Sequence, residues 1–263
     1  MTTINIGEIR INVQEFGQGE PLVLLMGLGG DGALWMPHVE AYRRHFRCIV
    51  IDNRGAGLSS KPAGPYSTAM MAGDALGVMD ALNIPKAHVS GISMGGAIAQ
   101  QLAVLAPERI ASLTLTCTWD RTDPSTVRLF RTLRALYAES DAQDFQRLLQ
   151  AMIYVPDYIA EHMDELESMS GAGDRMPAEA FQAQCDACIG HDAAGKLEGF
   201  GGPALVTAGE RDFIIPWRLS ERLASGIRGS RFELFAGGGH AFHWEQLERF
   251  NRLTLQFMLD CRQ

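Results

Sequence analysis

Ala87-His-Val-Ser-Gly-Ile92 passes without a linker into Ser93-Met-Gly-Gly-Ala-Ile-Ala-Gln-Gln-Leu-Ala-Val-Leu105. The first half reads as a buried strand, and Met94 to Leu105 as a helix. At their junction Gly91-Ile-Ser93-Met-Gly95 fits G-x-S-x-G, in the strand-to-helix position where that pattern carries chemistry. A serine on such a turn needs small neighbours, because the backbone is strained and the helix packs close. Gly95 and Gly96 supply that room. The turn also lifts the hydroxyl clear of the sheet, at the N-terminal end of a helix.

Upstream of this stretch, Ile4 to Ile6 and Ile9 to Val13 alternate as an antiparallel opening does. Pro21-Leu-Val-Leu-Leu-Met26 and Phe46-Arg-Cys-Ile-Val-Ile-Asp52 are apolar runs of the kind buried strands make. Thr68 to Asn83 reads as a helix closed by Pro85, and Ile110 to Cys117 as a further strand. The alternation then stops, and the segment from Asp120 to Phe200 is helical and rich in Met and aromatic residues. It resumes with Pro203 to Ala208, a helix near Trp217 to Ile227, Arg231 to Phe235 and a last helix from Glu245 towards Leu259. Strands separated by helices predict an α/β fold, with a mostly parallel central sheet of about eight strands and helices on both faces. The helical stretch is then an insertion after the sixth strand. This divides the chain into a core of residues 1–119 and 200–263 and a helical cap of residues 120–199.

The 263 residues suit one α/β domain with a sizeable core. A net charge of −8 leaves no basic stripe to neutralise a phosphate backbone, so nucleic acid is not an expected partner. The start of the chain lacks a basic and then apolar leader, and no apolar run reaches the roughly 18 residues of a spanning helix. No membrane association is expected, and the expected location is cytoplasmic. Cys48, Cys117, Cys185, Cys188 and Cys261 form an odd set without a framework, which suits free thiols. Cys185-Asp-Ala-Cys188 lacks the second pair or the neighbouring histidines of a zinc site and reads as packing, so no metal is expected.

A serine nucleophile needs a general base, and the base needs an orienting carboxylate. Asp212 lies just past the strand ending near Ala208, and His240 follows the next strand in Gly237-Gly-Gly-His240. Ser93, Asp212, His240 is the chain order this architecture uses, and parallel strands bring the three loops to one sheet edge. Asp120, just after the strand ending at Cys117, is the alternative carboxylate. His243 reads as an ordinary helix-start residue, with the pocket mouth as its alternative place.

With these residues the chain resembles the α/β-hydrolase family, from the first strand to the last helix. Asp52-Asn-Arg-Gly-Ala-Gly-Leu-Ser59 is similar to the family's D-x-R-G-x-G-x-S turn. Gly239-His240 with Glu245 and Phe250-Asn251 is similar to its C-terminal histidine signature. Gly27-Leu28-Gly29-Gly30 stands where the family places its oxyanion loop, with Met26 where a histidine is common. The resemblance implies that the backbone N–H groups of Leu28 and Met94 bind the oxyanion. It also implies that the insertion covers the nucleophile; most of its Met and aromatic residues read as core, with Phe130, Tyr137, Met152 and Tyr154 as candidate pocket residues. Trp35 follows the glycine loop, where it either walls the pocket or packs in the core. Arg128, Arg131 and Arg134 form a stripe on one helix, read as solvated surface; facing the pocket it would favour an anionic substrate.

Within the family the motifs most resemble the serine carboxylesterase and 3-oxoadipate enol-lactonase-like branch. That implies a cofactor-free hydrolase cleaving ester or lactone bonds of a small, largely apolar substrate through an acyl-enzyme. C–C bond hydrolysis and perhydrolysis use the same triad, and a ligand sensor that retains it is a further alternative.

Overall fold

The computed structural model describes residues 2–170 and 175–262. The antiparallel opening is β1 (Thr2–Ile6) and β2 (Ile9–Phe16), followed by β3 (Glu20–Leu25), α1 (Met36–Tyr42), β4 (Phe46–Ile51) and α2 (Thr68–Ala81). Next come β5 (Ala87–Ile92), α3 (Met94–Leu105) and β6 (Ile110–Thr116). Five helices stand between β6 and the next strand: α4 (Pro124–Glu139), α5 (Ala142–Ile153), α6 (Pro156–Glu161), α7 (Met163–Ser170) and α8 (Ala178–Ile189). The chain closes with β7 (Ala204–Gly209), α9 (Trp217–Ser225), β8 (Arg231–Phe235), α10 (Phe242–Glu245) and α11 (Leu247–Asp260). No helix among the described residues is long and apolar enough to cross a membrane.

The eight strands form one sheet in the order β1-β2-β4-β3-β5-β6-β7-β8. The pairs β1/β2 and β2/β4 are antiparallel, and every pair from β4 to β8 is parallel. Parallel strands need crossover helices, which cover both faces of the sheet and explain why the inner strands are apolar throughout rather than alternating. Val23, Leu25, Ile49 and Ile51 face a core shared with α2, α3 and α9. Their neighbours Leu22, Leu24, Cys48 and Val50 face the opposite core, under α1 and α11. The period-two side-chain alternation of a strand thus feeds two separate hydrophobic layers.

The inserted helices join the first of these layers through Phe130, Leu133, Tyr137, Phe145, Phe181, Cys185 and Cys188. Tyr137 and Phe181 stack at 3.9 Å, and Phe145 meets both rings edge-on. Asp123 caps α4 by accepting from Thr126 N–H, with Pro124 in the first turn, so the chain leaves β6 with a well-defined helix start. The expected last helix is instead two: Gln246, at φ −121° and ψ 46°, separates α10 from α11, and its side-chain amide donates to Ala236 C=O.

Candidate active site

β5 is central in the sheet, between β3 and β6, and Ser93 follows it directly. Its φ of 54° and ψ of −117° are those of the first central residue of a type II′ turn, a place glycine ordinarily fills. Close approach of neighbours sets the residues around it. A Cβ on Gly91 would lie 2.2 Å from Gly95 O, and one on Gly95 would lie 2.0 Å from Leu25 O. The elbow therefore exists because these positions lack side chains, which lets α3 start against the end of β3. Ser93 N–H donates to Thr116 C=O at 2.8 Å, fastening the turn to β6.

The other two candidates arrive on the neighbouring loops. Asp212 follows β7, is buried, and accepts from Ile215 N–H at 2.8 Å through one oxygen and from His240 Nδ1 at 2.8 Å through the other. The loops after β7 and β8 touch: a Cβ on Gly209 would lie 2.1 Å from Gly239 O, and Arg211 N–H donates to Gly238 C=O. A carboxylate only accepts, so Nδ1 carries the proton and Nε2 is left as the basic nitrogen. Burial disfavours the imidazolium, but the Asp212 carboxylate, with the adjacent Cys117 sulfur, outweighs it and holds His240 above its ordinary value. Among the described residues no hydrogen bond joins Ser93 Oγ to the ring; contacts of this kind commonly close only around substrate. Asp120 is engaged elsewhere, in a double contact with the Arg222 guanidinium at 2.9 and 2.5 Å.

Cys117 is the residue at this centre that the sequence did not single out. It directly follows β6 with φ of 41°, a left-handed value that a non-glycine residue holds only under constraint. Its sulfur, a carboxylate oxygen of Asp212 and a ring nitrogen of His240 lie within 4.8 Å of one another. Burial pushes the thiol up, so it is neutral beside the imidazole rather than competing with Ser93 as nucleophile.

The glycine loop lies beside the nucleophile, since a Cβ on Gly27 would come within 3.3 Å of Ser93 Cβ. Asn53 Nδ2 donates to Met26 C=O at 2.9 Å, an anchor that does not depend on the side chain at 26. Gly29 N–H donates to Gln184 Oε1 at 2.9 Å, and the same fully buried amide donates to Arg54 C=O at 2.8 Å. α8 is thus bonded both to this loop and to the turn after β4. That turn is itself built around Asp52, whose carboxylate accepts from Asn12 Nδ2, Gly32 N–H and Leu58 N–H. The N–H groups of Leu28 and Met94 have no partner among the described residues; the first N–H of a helix has none within it.

Of the candidate pocket residues, Trp35 is fully buried in the layer under α1 and α11, 5.4 Å from the His38 ring, so it packs in that core and does not wall a pocket. Phe130 packs on Trp119 at 5.4 Å. Tyr137 lies behind Phe181, whose ring edge would be 3.1 Å from a Cβ on Gly29; the aromatic group against the glycine loop is therefore Phe181. Met152 is half-buried against the core, and Tyr154 stacks on Tyr158 at 4.8 Å. Arg128 and Arg131 are exposed, and Arg134 pairs with Asp186 at 3.1 Å, so the stripe faces solvent. His243 is buried and hydrogen-bonded to His38, whose other nitrogen donates to Asn251 Oδ1 at 2.7 Å. Nothing local in the sequence marked that pair.

Comparison with known proteins agrees with the fold. The family model described as alpha/beta hydrolase fold matches residues 20–247. "Putative carbamate hydrolase RutD" of Caulobacter vibrioides is 33% identical over 242 residues, covering 91% of this chain and 90% of that protein. Its namesake in Azorhizobium caulinodans is 31% identical over 256 residues, covering 95% and 96%. Among solved structures, the enol-lactonase from Burkholderia xenovorans LB400 superposes with a TM-score of 0.91 at 25% identity, covering 98% of this chain and 100% of that one. By sequence, by sheet order and by the match along its length, the chain belongs to the alpha/beta hydrolase fold family.

Proposed function

We propose that this hydrolase cleaves ester or lactone bonds of small, largely apolar substrates, with Ser93 as nucleophile, His240 as general base and Asp212 as its orienting carboxylate. The observation that carries the reading is the 2.8 Å bond from His240 Nδ1 to Asp212, on the loops after β7 and β8 that touch each other, together with a serine held in a turn conformation foreign to serine. Ser93 Oγ attacks the acyl carbonyl as Nε2 takes its proton, and the negative charge moves onto the carbonyl oxygen. The free N–H groups of Leu28 and Met94 receive that oxyanion. Collapse breaks the bond to the alkoxy group, which leaves with the proton from Nε2. A water deprotonated by the same nitrogen then releases the acid and restores Ser93. Asp212 keeps the ring in the tautomer that leaves Nε2 free and stabilises the imidazolium between the two steps.

The outward-facing arginine stripe supports an uncharged substrate over a carboxylate-bearing one. A second reading, hydrolysis of a small carbamate, is favoured by the named activity of relatives that span nine-tenths of the chain. It uses the same attack on a carbonyl and differs in the group expelled. The test is a panel of p-nitrophenyl acetate, butyrate and octanoate, small lactones, and small O-alkyl carbamates, with Ser93→Ala beside the wild type. Serine-dependent turnover of esters or lactones supports the first reading, and turnover confined to carbamates supports the second. Absence of serine-dependent turnover throughout overturns both and leaves C–C hydrolysis, perhydrolysis or ligand sensing.

A further inference from the structure

The loop carrying His240 is tied to one short segment of the helical insertion, directly on one side and through Glu245 of α10 on the other. Gly239 N–H, just before the histidine, donates to Glu245 Oε2 at 2.8 Å. The other carboxylate oxygen accepts Val155 N–H, also at 2.8 Å, from the junction of α5 and α6. Ala241 N–H, just after the histidine, donates to Ile153 C=O at 2.9 Å. The fit is tight, because a Cβ on Gly239 would lie 2.6 Å from Ile153 O and 2.9 Å from Glu245 Oε1. Glu245 is fixed in turn by its own N–H, which donates to Ala241 C=O. A half-buried carboxylate therefore joins two segments 90 residues apart in sequence.

We propose that Glu245 is a positioning residue: its carboxylate holds the His240 loop in register with the inserted helices, so that the seat of the insertion sets the seat of the base. The inference rests on His240 being the base. Only a carboxylate offers an acceptor to each N–H; a carboxamide offers one acceptor and turns its NH₂ towards the other donor. The bonds are charge-assisted and short, and a displacement of about 1 Å at a catalytic group costs about 100-fold in rate.

Three variants test it: Glu245→Gln, Glu245→Ala and Val155→Pro. Val155 sits at φ −75° and ψ 151°, and Tyr154 at φ −97° and ψ 151°, so the backbone accepts a proline there. That change removes the donor on the insertion side, and the ring Cδ takes the place of the hydrogen aimed at Glu245 Oε1, so the carboxylate is pushed from its seat while no residue of the histidine loop is substituted. Steady-state kinetics on the best substrate of the panel are normalised to serine titrated with a fluorophosphonate, and Tm is recorded alongside. The expected result is KM within about twofold of wild type. kcat per titrated serine falls about tenfold in Glu245→Gln and Val155→Pro, and about 100-fold in Glu245→Ala. If Glu245→Ala does not fold, the other two variants carry the test. Unchanged kcat per titrated serine with only a lowered Tm overturns the proposal and makes the carboxylate purely structural. Turnover that survives Ser93→Ala overturns the triad instead, so the two failures are distinguishable.

Discussion

Replacing Ser93 by Gly and by Ala separates the strain of the nucleophile turn from its chemistry. Both changes delete the hydroxyl, so neither variant turns over substrate by the mechanism above. Alanine keeps a Cβ at φ 54° and ψ −117°, whereas glycine occupies that region freely. Strain at such a position costs about 1–3 kcal/mol. Against its relief stand about 0.5–1 kcal/mol of extra unfolded-state freedom for glycine and about 0.8 kcal/mol for the buried Cβ that is lost. Without strain, Ser93→Gly is less stable than Ser93→Ala by about 1.5 kcal/mol. With it, Ser93→Gly lies between about 0.5 kcal/mol less stable and about 1.5 kcal/mol more stable than Ser93→Ala, a gain in Tm of up to about 3–6 °C. Urea unfolding of the two variants at pH 7.5 reads the difference directly. A deficit near 1.5 kcal/mol in Ser93→Gly refutes the strained elbow.

Two pH dependences follow from the histidines. His240 acts as a base only when neutral, and its partner Asp212 holds it above 6.5, so kcat/KM rises with pH through an apparent pKa above 6.5. A profile flat from pH 6 to 9 contradicts that assignment. Stability behaves in the opposite half of the scale: burial lowers His38 and His191 from 6.5 to about 4, so both stay neutral in the fold while the unfolded chain takes up protons. Their contribution is present above pH 6.5 and is lost as pH falls from 6.5 towards 4. Each accounts for about 2 kcal/mol between pH 7.5 and 5. Urea titrations at those two values measure the loss, and a His191→Gln protein that shows the same pH dependence as wild type refutes its share.

The parts of the site legible in the sequence are those that local rules dictate. Gly91, Gly95 and Gly96 announce the elbow because a Cβ there would overlap Gly95 O, Leu25 O or the Thr118 side chain. α3 spans Met94–Leu105, as its small apolar residues indicate, and Asp212 and His240 fall on consecutive post-strand loops because parallel strands place them there. What escaped is non-local. Gln184 reaches Gly29 across 155 positions, and His38 reaches His243 across 205. Neither has a periodicity or a motif, since a buried polar partner is chosen by the three-dimensional neighbourhood and not by the adjacent chain. Trp35 has two readings in the sequence for the same reason: a position after the glycine loop allows a wall or core packing, and the opposite-face core takes it. Cys117 looked like one more thiol, and only the convergence of the end of β6 with two loops puts its sulfur beside His240 and Asp212.

The most direct test of the account is covalent trapping of the nucleophile. A fluorophosphonate probe reacts with a serine only where a base and an oxyanion site activate it. Peptide mass spectrometry after labelling should find one adduct, on Ser93, lost when His240 is replaced by Ala. Labelling at another residue, or full turnover by a protein whose Ser93 stays unmodified under excess probe, would contradict the assignment of Ser93, His240 and Asp212 as the reacting centre.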